Sequence, residues 1–342
     1  ILYFFMGVKL GKILYKEEIT FDSLAGKIIA IDFSNSAYQF LSSIRQPDGT
    51  LLMDSKGNVT SHLMGTWTRF SNLMIKGIKL VAVLDGQMPV LKKMTSLKRK
   101  EKKDLAFEKF SQAKEEEDTE MMGFYAKQTS FLTKDMINES KELMSAMGIP
   151  VIQAPAEADA QIAFLSKNDD VWAAATSDVD TLLHGGKRII TNLTLSQRKK
   201  IRSGGTIKIN PELINLEENL KKLNLSQREF IILAILVGTD YNQGVKGIGP
   251  KKALKLVKES KNYDQMFKNL NVDFDWKEIY SMFEKMEVQK NYKLKWDKIN
   301  SGKIKEILIE KHEFNEERVN KVLENLQTGM KKFEQTGLGN WV

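Results

Sequence analysis

The sequence contains no cysteine, which excludes disulfide bonds, thiolate-ligated zinc and catalysis by a cysteine nucleophile. It has only three histidines, His62, His184 and His312, and they lie far apart in the chain, which argues against a histidine-based metal site or triad. No apolar run approaches the roughly 18 residues of a membrane-spanning helix. Residues 1–5 are apolar, but they are too few for a signal peptide and lack its basic flank. We therefore expect a cytoplasmic protein that is neither secreted nor bound to a membrane.

The composition indicates a globular protein with a polyanionic partner. The 342 residues are 42% hydrophobic and 28% charged, which is ordinary for a folded domain with a large core. The formal net charge of +8 favours a partner such as nucleic acid, although many basic proteins bind none. Because there is no internal repeat or low-complexity linker, we expect a single folded unit.

Four short apolar runs are each followed by acidic residues. Runs of this length, bounded by Pro, Asp and Ser, predict buried strands, and parallel strands open at their carboxyl ends into the crevice where α/β proteins bind ligands. The runs are Lys27–Asp32, Lys79–Asp85, Ile149–Ala154 and Val171–Ala175, and the acids are Asp32, Asp85, Glu157, Asp159, Asp178 and Asp180. One such acid alone is more often a helix cap or a solvated side chain. The whole set at one sheet edge would need cations to offset its repulsion, which predicts a metal site. A further run, Lys187–Leu193, is interpreted as the last strand of this sheet.

A long charged segment, residues 87–133, lies between two of the acid-bearing strands and favours helix. Charge runs of this kind are usually solvated helix faces. Lys92 and Arg99 are seven positions apart, so on a helix they share a face about two turns apart. Two cations placed over the acidic edge would be suited to gripping a phosphate.

A glycine-rich turn follows the apolar helix predicted at Ser226–Gly238. The sequence GVKGIGPKK places Gly247 and Gly249 just before Pro250, Lys251 and Lys252. Backbone N–H groups at such a helix N-terminus bind phosphate without regard to base sequence, and the pattern is typical of a helix–hairpin–helix. Asp240 lies at the edge of this element, which makes it the fifth segment of the chain that could supply an acid to the metal site.

Other segments are less specific. Residues 44–62 predict either a surface hairpin or an apolar wedge carrying Leu51, Leu52 and Met53. Tyr38, in a helix predicted over Phe33–Ser43, reads as ordinary packing. The tail QTGLGNWV is either frayed or, from the spacing of Gln335, Leu338 and Trp341, a one-turn helix that fits an apolar pocket of a partner.

Taken together, the motifs resemble those of the flap endonuclease family of structure-specific 5′ nucleases, in particular its archaeal-type members. The resemblance extends from Met6 to Val342 and rests on MGVKL, IDFSNSAYQF, VLDGQMPVLK, APAEADAQIAFL, SDVDTLL, LVGTDYNQGVKGIGPKKAL, EKHEFNEERV and QTGLGNWV. It implies a PIN-like 5′-nuclease fold of the α/β class, with a twisted, mostly parallel central sheet flanked by helices. It also implies a nuclease core (6–91 and 138–225), a helical arch (92–137), a helix–hairpin–helix (226–260), C-terminal helices (261–330) and a docking peptide (335–342).

The resemblance implies a site for two Mg²⁺ ions, with Mn²⁺ as a substitute, and catalysis by an in-line displacement at the paired metals. The ligands by resemblance are Asp32, Asp85, Glu157, Asp159, Asp178, Asp180 and Asp240. Lys92 and Arg99 match basic residues of the family that orient and polarise the scissile phosphate. Asp159 stands where glutamate is more usual, so this carboxylate is one methylene shorter.

The resemblance also assigns contacts with DNA and with a partner protein. Tyr38 matches an aromatic residue on which a terminal base stacks, and Arg318 lies in the segment Phe314–Arg318, which resembles the region that receives a short 3′ flap. Gly247, Gly249, Lys251 and Lys252 would hold duplex phosphates, with K⁺ bound at the hairpin. Gln335, Leu338, Trp341 and Val342 match the anchors of a peptide that docks on a sliding clamp.

The implied protein is a monomeric 5′ flap endonuclease with a possible 5′–3′ exonuclease activity, working on branched DNA in Okazaki-fragment maturation and repair near the nucleoid. Two alternatives differ in class. One is an inactive nucleic-acid-binding scaffold recruited by the clamp, and the other is a nuclease of related fold that acts on RNA or on free 5′ ends.

Overall fold

A seven-stranded sheet forms the centre of the protein, for which the computed structural model describes residues 8, 10–92, 101, 104–109, 112, 116, 121, 125, 131–194, 198–200 and 205–338. Its strands are β1 (Glu17–Glu18), β2 (Ile28–Asp32), β3 (Lys79–Leu84), β4 (Val151–Gln153), β5 (Ala173–Ala175), β6 (Arg188–Thr191) and β9 (Glu212–Asn215). A separate antiparallel ribbon pairs β7 (Arg198–Lys200) with β8 (Thr206–Lys208).

The sheet order is β1-β9-β6-β5-β2-β3-β4, and the five strands from β6 to β4 are parallel. β9 pairs antiparallel with both β6 and β1. The prediction that Lys187–Leu193 is the last strand is therefore wrong, because β6 lies inside the sheet. The two strands beyond it are only four and two residues long, too short for a periodic hydrophobic pattern that a sequence reading can detect, and β1 consists of two glutamates.

Both faces of the sheet are covered, because alternate side chains of the central strands point to opposite sides. Ala30, Val81 and Val83 face one apolar core, whereas Ile29, Ile31 and Leu80 face the other. This arrangement explains why β2 and β3 read as nearly continuous apolar runs: strands buried on both faces have no polar side.

The helices named below, all within the described residues, contribute side chains to these two cores, some of them by packing on other helices and not on the sheet itself. In chain order they are α1 (Phe33–Ser43), α2 (Ser61–Gly65), α3 (Ser71–Ile75), α4 (Lys134–Ala146), α5 (Ala158–Lys167), α6 (Asp180–Leu183), α7 (Leu216–Leu223), α8 (Gln227–Val237), α9 (Pro250–Glu259), α10 (Tyr263–Asn269), α11 (Trp276–Lys285), α12 (Ser301–Lys305) and α13 (Glu316–Leu338). A 3₁₀ turn covers Asp22–Leu24, and π-helical turns cover Thr66–Phe70, between α2 and α3, and Glu306–Lys311, after α12. No helix in this part of the chain is long and apolar enough to cross a membrane.

Helices α8 and α9 form the predicted pair around the glycine-rich turn. Ser226 and Glu229 close a reciprocal capping box at the start of α8, which satisfies two backbone donors. Gly244, with φ of +72°, brings the connecting loop back against α8; a Cβ there would lie 2.3 Å from the carbonyl oxygen of Val237. Pro250 opens α9 at a position where a missing N–H costs nothing.

The predicted arch lies mostly outside the described residues. Within it, residues 104–109 are helical. The hairpin predicted at 44–62 is present as two short antiparallel bridges, Arg45 with Leu51 and Met53 with Val59. Met53 is 51% exposed, whereas Leu51 and Leu52 are half-buried.

Candidate active site

The four acid-bearing strands are neighbours in the sheet, in the order β5-β2-β3-β4, and they run parallel. Their carboxyl ends therefore open at one edge, which receives Asp178 and Asp180 from β5, Asp32 from β2, Asp85 from β3, and Glu157 and Asp159 from β4. Asp240, from the loop after α8, lies at the same edge, because it shares the Nζ of Lys92 with Glu157. The structure thus brings all seven predicted acids into one electrostatic cluster.

Most of these carboxylates are withdrawn from solvent. Asp32, Glu157, Asp178, Asp180 and Asp240 are buried. Asp159 is half-buried, and Asp85 is exposed at the rim. Such burial is costly for charged groups unless cations or donors compensate for it.

The pKa values of the cluster reflect that cost. Burial, followed by repulsion from Asp159, raises the pKa of Asp32 well above its ordinary value. Burial and the neighbouring Asp180 do the same for the pKa of Asp178. For Asp180, burial comes first and Asp240 second. Burial raises the pKa of Asp159 to about 7, partly offset by a hydrogen bond from Thr181. A cation bound among carboxylates that repel one another in this way would offset the repulsion.

Backbone N–H groups hold one oxygen of several of these carboxylates. Asp32 is the N-cap of α1 and accepts a 3.0 Å hydrogen bond from the N–H of Asn35. Asp85 accepts a 2.8 Å bond from the N–H of Ala158, which ties the end of β3 to the start of α5. Asp178 accepts a 3.0 Å bond from the N–H of Asp180. These bonds set the direction of each carboxylate and leave oxygen atoms for other partners.

Lys92 reaches into the acidic edge. Its Nζ donates to Oε1 of Glu157 and lies 3.0 Å from Oδ2 of Asp240. Burial by itself lowers the pKa of Lys92, but Glu157 and Asp240 raise it well above its ordinary value. Lys92 therefore lies as a cation between Glu157 and Asp240 at the edge where the sequence predicts a basic residue.

The donor set fits a hard divalent cation. All the acidic ligand candidates are carboxylates, which suit Mg²⁺ or Mn²⁺. Oδ1 of Asp180 is buried and has no hydrogen-bond partner in the described part of the chain, so an acceptor faces the cluster uncompensated. Among the residues that the structure describes, however, no group of three or more His, Cys, Asp or Glu side chains is arranged so that it could hold a metal ion.

Three hydroxyl groups at this site were missed by the sequence reading. Tyr241 donates a 2.6 Å hydrogen bond to Oε2 of Glu157, Thr181 donates to Oδ1 of Asp159, and Thr176 lies 3.4 Å from Oδ2 of Asp32. Each hydroxyl residue lies within a few positions of an acid in the sequence. That proximity is the only sequence signal, because their partners are 22 to 144 residues away.

The predicted DNA-contact residues lie on separate elements. Tyr38 is half-buried on α1, and Arg318 is exposed in the first turn of α13. Gly247, with φ of +79°, and Gly249, the N-cap of α9, shape the turn before Lys251 and Lys252, both exposed. The turn therefore lies next to two exposed lysines, and its role in binding phosphate stays a prediction.

Some predicted residues fall where little or nothing is described. Arg99, Trp341 and Val342 lie outside the described residues. Gln335 and Leu338 fall within the backbone of α13, which continues to Leu338. The docking role of the tail stays a prediction.

A mixed sheet with clustered carboxylates and a lysine at the carboxyl edge of its parallel strands, joined to a glycine- and lysine-rich helical hairpin, is typical of the class of phosphodiesterases acting on nucleic acid. Comparison with known proteins agrees. The model of the XPG N-terminal domain matches residues 6–106, and that of the XPG I-region matches residues 148–240.

Full-length relatives show the family. The chain is 42% identical to flap endonuclease 1 of Hyperthermus butylicus and 44% identical to that of Pyrococcus furiosus, each over 98% of this chain and 99% of the relative. Its structure is similar to flap endonuclease-1 from Methanococcus jannaschii, with a TM-score of 0.76 and 38% identity over 95% of this chain and 99% of that one. It is also similar to the catalytic core of Rad2 in complex with DNA substrate, with a TM-score of 0.67 and 26% identity over 91% and 96% of the two chains.

The chain belongs to the flap endonuclease family, and the prediction made from its motifs is confirmed. It is a structure-specific 5′ flap endonuclease that hydrolyses DNA phosphodiester bonds. The predicted α/β class with a PIN-like nuclease fold is confirmed as well. The inactive scaffold and the RNA or free-end nuclease are not favoured.

Proposed function

We propose that the seven carboxylates at the carboxyl edge of the sheet bind two divalent cations, Mg²⁺ or in its place Mn²⁺, and that the enzyme uses them to incise DNA where a 5′ flap meets duplex. The observation that supports this most directly is the convergence of acids from four neighbouring parallel strands around an uncompensated oxygen of Asp180. The ligands are Asp32, Asp85, Glu157, Asp159, Asp178, Asp180 and Asp240. Cations held there supply a hydroxide near neutral pH and neutralise charge on the transferring phosphate.

The chain's own residues would orient the phosphate. Lys92 is the only lysine of the described residues that forms ion pairs with the acidic cluster, and its Nζ carries the charge that a non-bridging phosphate oxygen needs. Arg99 acts beside it in this proposal, on the strength of the sequence spacing. Tyr38 would stack on a base next to the scissile bond, a contact worth about 1–3 kcal/mol for a single base.

Duplex DNA would be held away from the scissile bond. The turn at Gly247 and Gly249, with Lys251 and Lys252, binds phosphates through N–H groups and ammonium groups, with K⁺ as a further ligand of the turn. Arg318 is placed to contact a short 3′ flap. These contacts position the substrate without reading base sequence, which suits an enzyme that recognises DNA structure.

In this proposal the C-terminal tail recruits the enzyme to a partner protein. Gln335, Leu338, Trp341 and Val342 would anchor the chain to a sliding clamp, while the enzyme itself works as a monomer on chromosomal DNA in the cytoplasm. Support comes from the sequence spacing of Gln335, Leu338 and Trp341, which is that of a one-turn helix that fits an apolar pocket. The protein truncated after Leu338 lacks Trp341 and Val342, and it should lose clamp binding and keep its nuclease activity.

The experiment is cleavage of an end-labelled double-flap DNA with Mg²⁺, beside blunt duplex and single strand of the same sequence. Incision should be confined to the flap junction. Asp180→Asn should reduce the rate by more than the roughly 10–100-fold that loss of an outer-shell metal partner costs, with DNA binding retained. Glu217→Gln, which removes an exposed charge on α7, is the matched control.

Two results would contradict the proposal. Equal cutting of single strand and flap would show that the enzyme does not recognise DNA structure, and full activity in the presence of a chelator would show that it does not need divalent cations. Binding of the double flap without incision, in either Mg²⁺ or Mn²⁺, would instead support the scaffold alternative.

A further inference from the structure

Glu157 has both carboxylate oxygens occupied by protein donors. Oε1 accepts from Nζ of Lys92, and Oε2 accepts a 2.6 Å hydrogen bond from the hydroxyl of Tyr241. Glu157 is also the N-cap of α5, yet its side chain makes no bond to the first turn of that helix. Its own helix therefore does not orient the carboxylate, and Tyr241 and Lys92 do.

The ring of Tyr241 is held in place by packing. The residue is only 7% exposed, and its ring meets the ring of Phe283 edge to face with centroids 5.3 Å apart. The backbone carbonyl of Phe283 in turn lies 3.0 Å from Nδ1 of His184, in the residue that follows α6. The ring of Tyr241 is thus buried and packed against an anchored residue, and its hydroxyl is aimed at Glu157.

We propose that Tyr241 is a positioning residue of the metal site: its hydroxyl holds Oε2 of Glu157 and so fixes the orientation of this carboxylate toward the acidic cluster, where a divalent cation would bind. The inference rests on the proposed function, since it assumes that Glu157 is a metal ligand. Partners of this kind, which hold a ligand and do not touch the metal, typically change metal affinity by about 10–100-fold when removed.

Two features distinguish this role from simple core packing. First, a free glutamate has three side-chain torsions to order, so a preset carboxylate saves that ordering when a cation binds. Second, Tyr241 directly follows Asp240, whose Oδ2 lies 3.0 Å from Nζ of Lys92. The loop after α8 thus supplies both an acid of the cluster and the donor that orients another acid.

The test is Mn²⁺ binding to the full chain without DNA, measured by the electron paramagnetic resonance signal of free Mn²⁺ and by isothermal titration. Tyr241→Phe removes one oxygen atom and keeps the ring. We expect its Mn²⁺ affinity to fall by about 10-fold or more. The single-turnover rate on a double flap should recover as Mg²⁺ is raised, because the defect lies in ligand geometry.

Tyr292→Phe is the matched control. Its hydroxyl also donates to a carboxylate, that of Asp170, and its ring also packs edge to face against an aromatic ring, that of Phe164. Asp170 belongs to the loop after α5 and not to the acidic cluster, so this variant should bind Mn²⁺ as the unmodified protein does. A merely structural hydroxyl bond would give both variants the same effect.

A double-mutant cycle with Glu157→Gln tests whether Tyr241 affects Mn²⁺ affinity through Glu157. If Tyr241 acts through Glu157, Tyr241→Phe should change Mn²⁺ affinity little in the Glu157→Gln background. Phe283→Leu keeps the hydroxyl of Tyr241 but loosens the packing of the Tyr241 ring. It should lower the Mn²⁺ affinity too, by a smaller factor. This second variant tests the inference even if Tyr241→Phe does not fold.

Three different results would contradict three different parts of the argument. Unchanged Mn²⁺ affinity and Mg²⁺ dependence in both Tyr241→Phe and Phe283→Leu would overturn the inference. An equal additional loss in the Glu157→Gln background would overturn the route through Glu157. If the unmodified protein itself bound no Mn²⁺, the proposed metal site would fail, a result distinct from the failure of Tyr241 alone.

Discussion

Nζ of Lys92 lies 3.0 Å from Oδ2 of Asp240, although 148 residues separate the two in the chain. The same ammonium group donates to Glu157. A cation that follows β3 thus joins the start of α5 to the loop after α8. This contact places the one described cation of the proposed phosphate-binding pair directly at the acidic edge.

Replacing Lys92 by methionine should lower the single-turnover cleavage rate by about 100-fold or more, the usual cost of removing one preorganised group that stabilises developing charge. Methionine keeps the length of the side chain and removes its charge. Substrate affinity should change less than the rate, because the group acts on the transition state. Rapid-quench kinetics at saturating enzyme measures the step.

Lys290→Met is the control for that variant, since Lys290 is exposed in the extended segment after α11. Equal cleavage rates for Lys92→Met and Lys290→Met would show that Lys92 has no catalytic role. A loss confined to DNA affinity would make Lys92 a binding residue instead.

Gly86→Ala should impair the site by moving two acid-bearing loops apart. A Cβ at Gly86 would lie 2.1 Å from the carbonyl oxygen of Ala154, and the N–H of Gly86 bonds the carbonyl of Ala156 at 2.6 Å. This contact holds Asp85 beside Glu157. We expect a loss of about 1–3 kcal/mol in stability from overpacking, together with a weaker response to Mg²⁺.

Thermal unfolding and a Mg²⁺ titration of cleavage check this prediction. Gly11→Ala is the matched substitution, because a Cβ at Gly11 meets nothing within 4 Å. If Gly86→Ala behaved like Gly11→Ala in both measurements, the close approach would have no role.

The burial of His62 should lower the free energy of unfolding in mild acid. It is fully buried, its Nε2 lies 3.1 Å from Oε2 of Glu139, and its Nδ1 has no partner among the described residues. Burial lowers the pKa of His62 below its ordinary 6.5. The unfolded chain then binds a proton at a pH where the folded one does not, so the free energy of unfolding falls as the pH drops below 6.5.

Glu139 continues the same trend at lower pH. The hydrogen bond from His62 lowers the pKa of Glu139 below 4.5, so its contribution is present above that pH and is lost below it. Urea unfolding at a series of pH values measures both windows. His62→Gln keeps a donor and cannot titrate, so its stability should vary less between pH 6.5 and 5. An equal slope for both proteins would contradict the assignment.

Lys251 and Lys252 should each contribute to the salt dependence of duplex binding. Removing one phosphate contact reduces the slope of log affinity against log salt by about 1, whatever the base sequence. Lys251→Ala and Lys252→Ala are therefore expected to weaken binding of any duplex and to flatten its salt dependence. Fluorescence anisotropy over a range of KCl concentrations gives the slope.

Lys268→Ala, an exposed lysine on α10, is the control for this pair. A slope that stays the same in the Lys251 and Lys252 variants would place the phosphate grip elsewhere. A change of affinity for one base sequence only would argue against a backbone contact.

Much of the acidic edge was predictable because its causes are local. A short apolar run bounded by acids specifies a buried parallel strand, and the acids must then leave the sheet at its carboxyl edge. Asp32 and Asp85 illustrate this: each directly follows a run that the sequence marks as a strand, and β2 and β3 prove to be neighbours. The paired glycines before Pro250 are a similar local signal for a turn at a helix start.

The sequence by itself determined the α/β class, the four acid-bearing strands, the helical hairpin and, through its motifs, the family, since each depends on residues close together in the chain. The tertiary structure decided the position of β6 inside the sheet, the placement of Lys92 between Glu157 and Asp240, and the bond from Tyr241 to Glu157. Strands of two and four residues carry no periodic pattern, and a hydrogen bond across 84 residues leaves none either. Such features arise only when distant segments pack together.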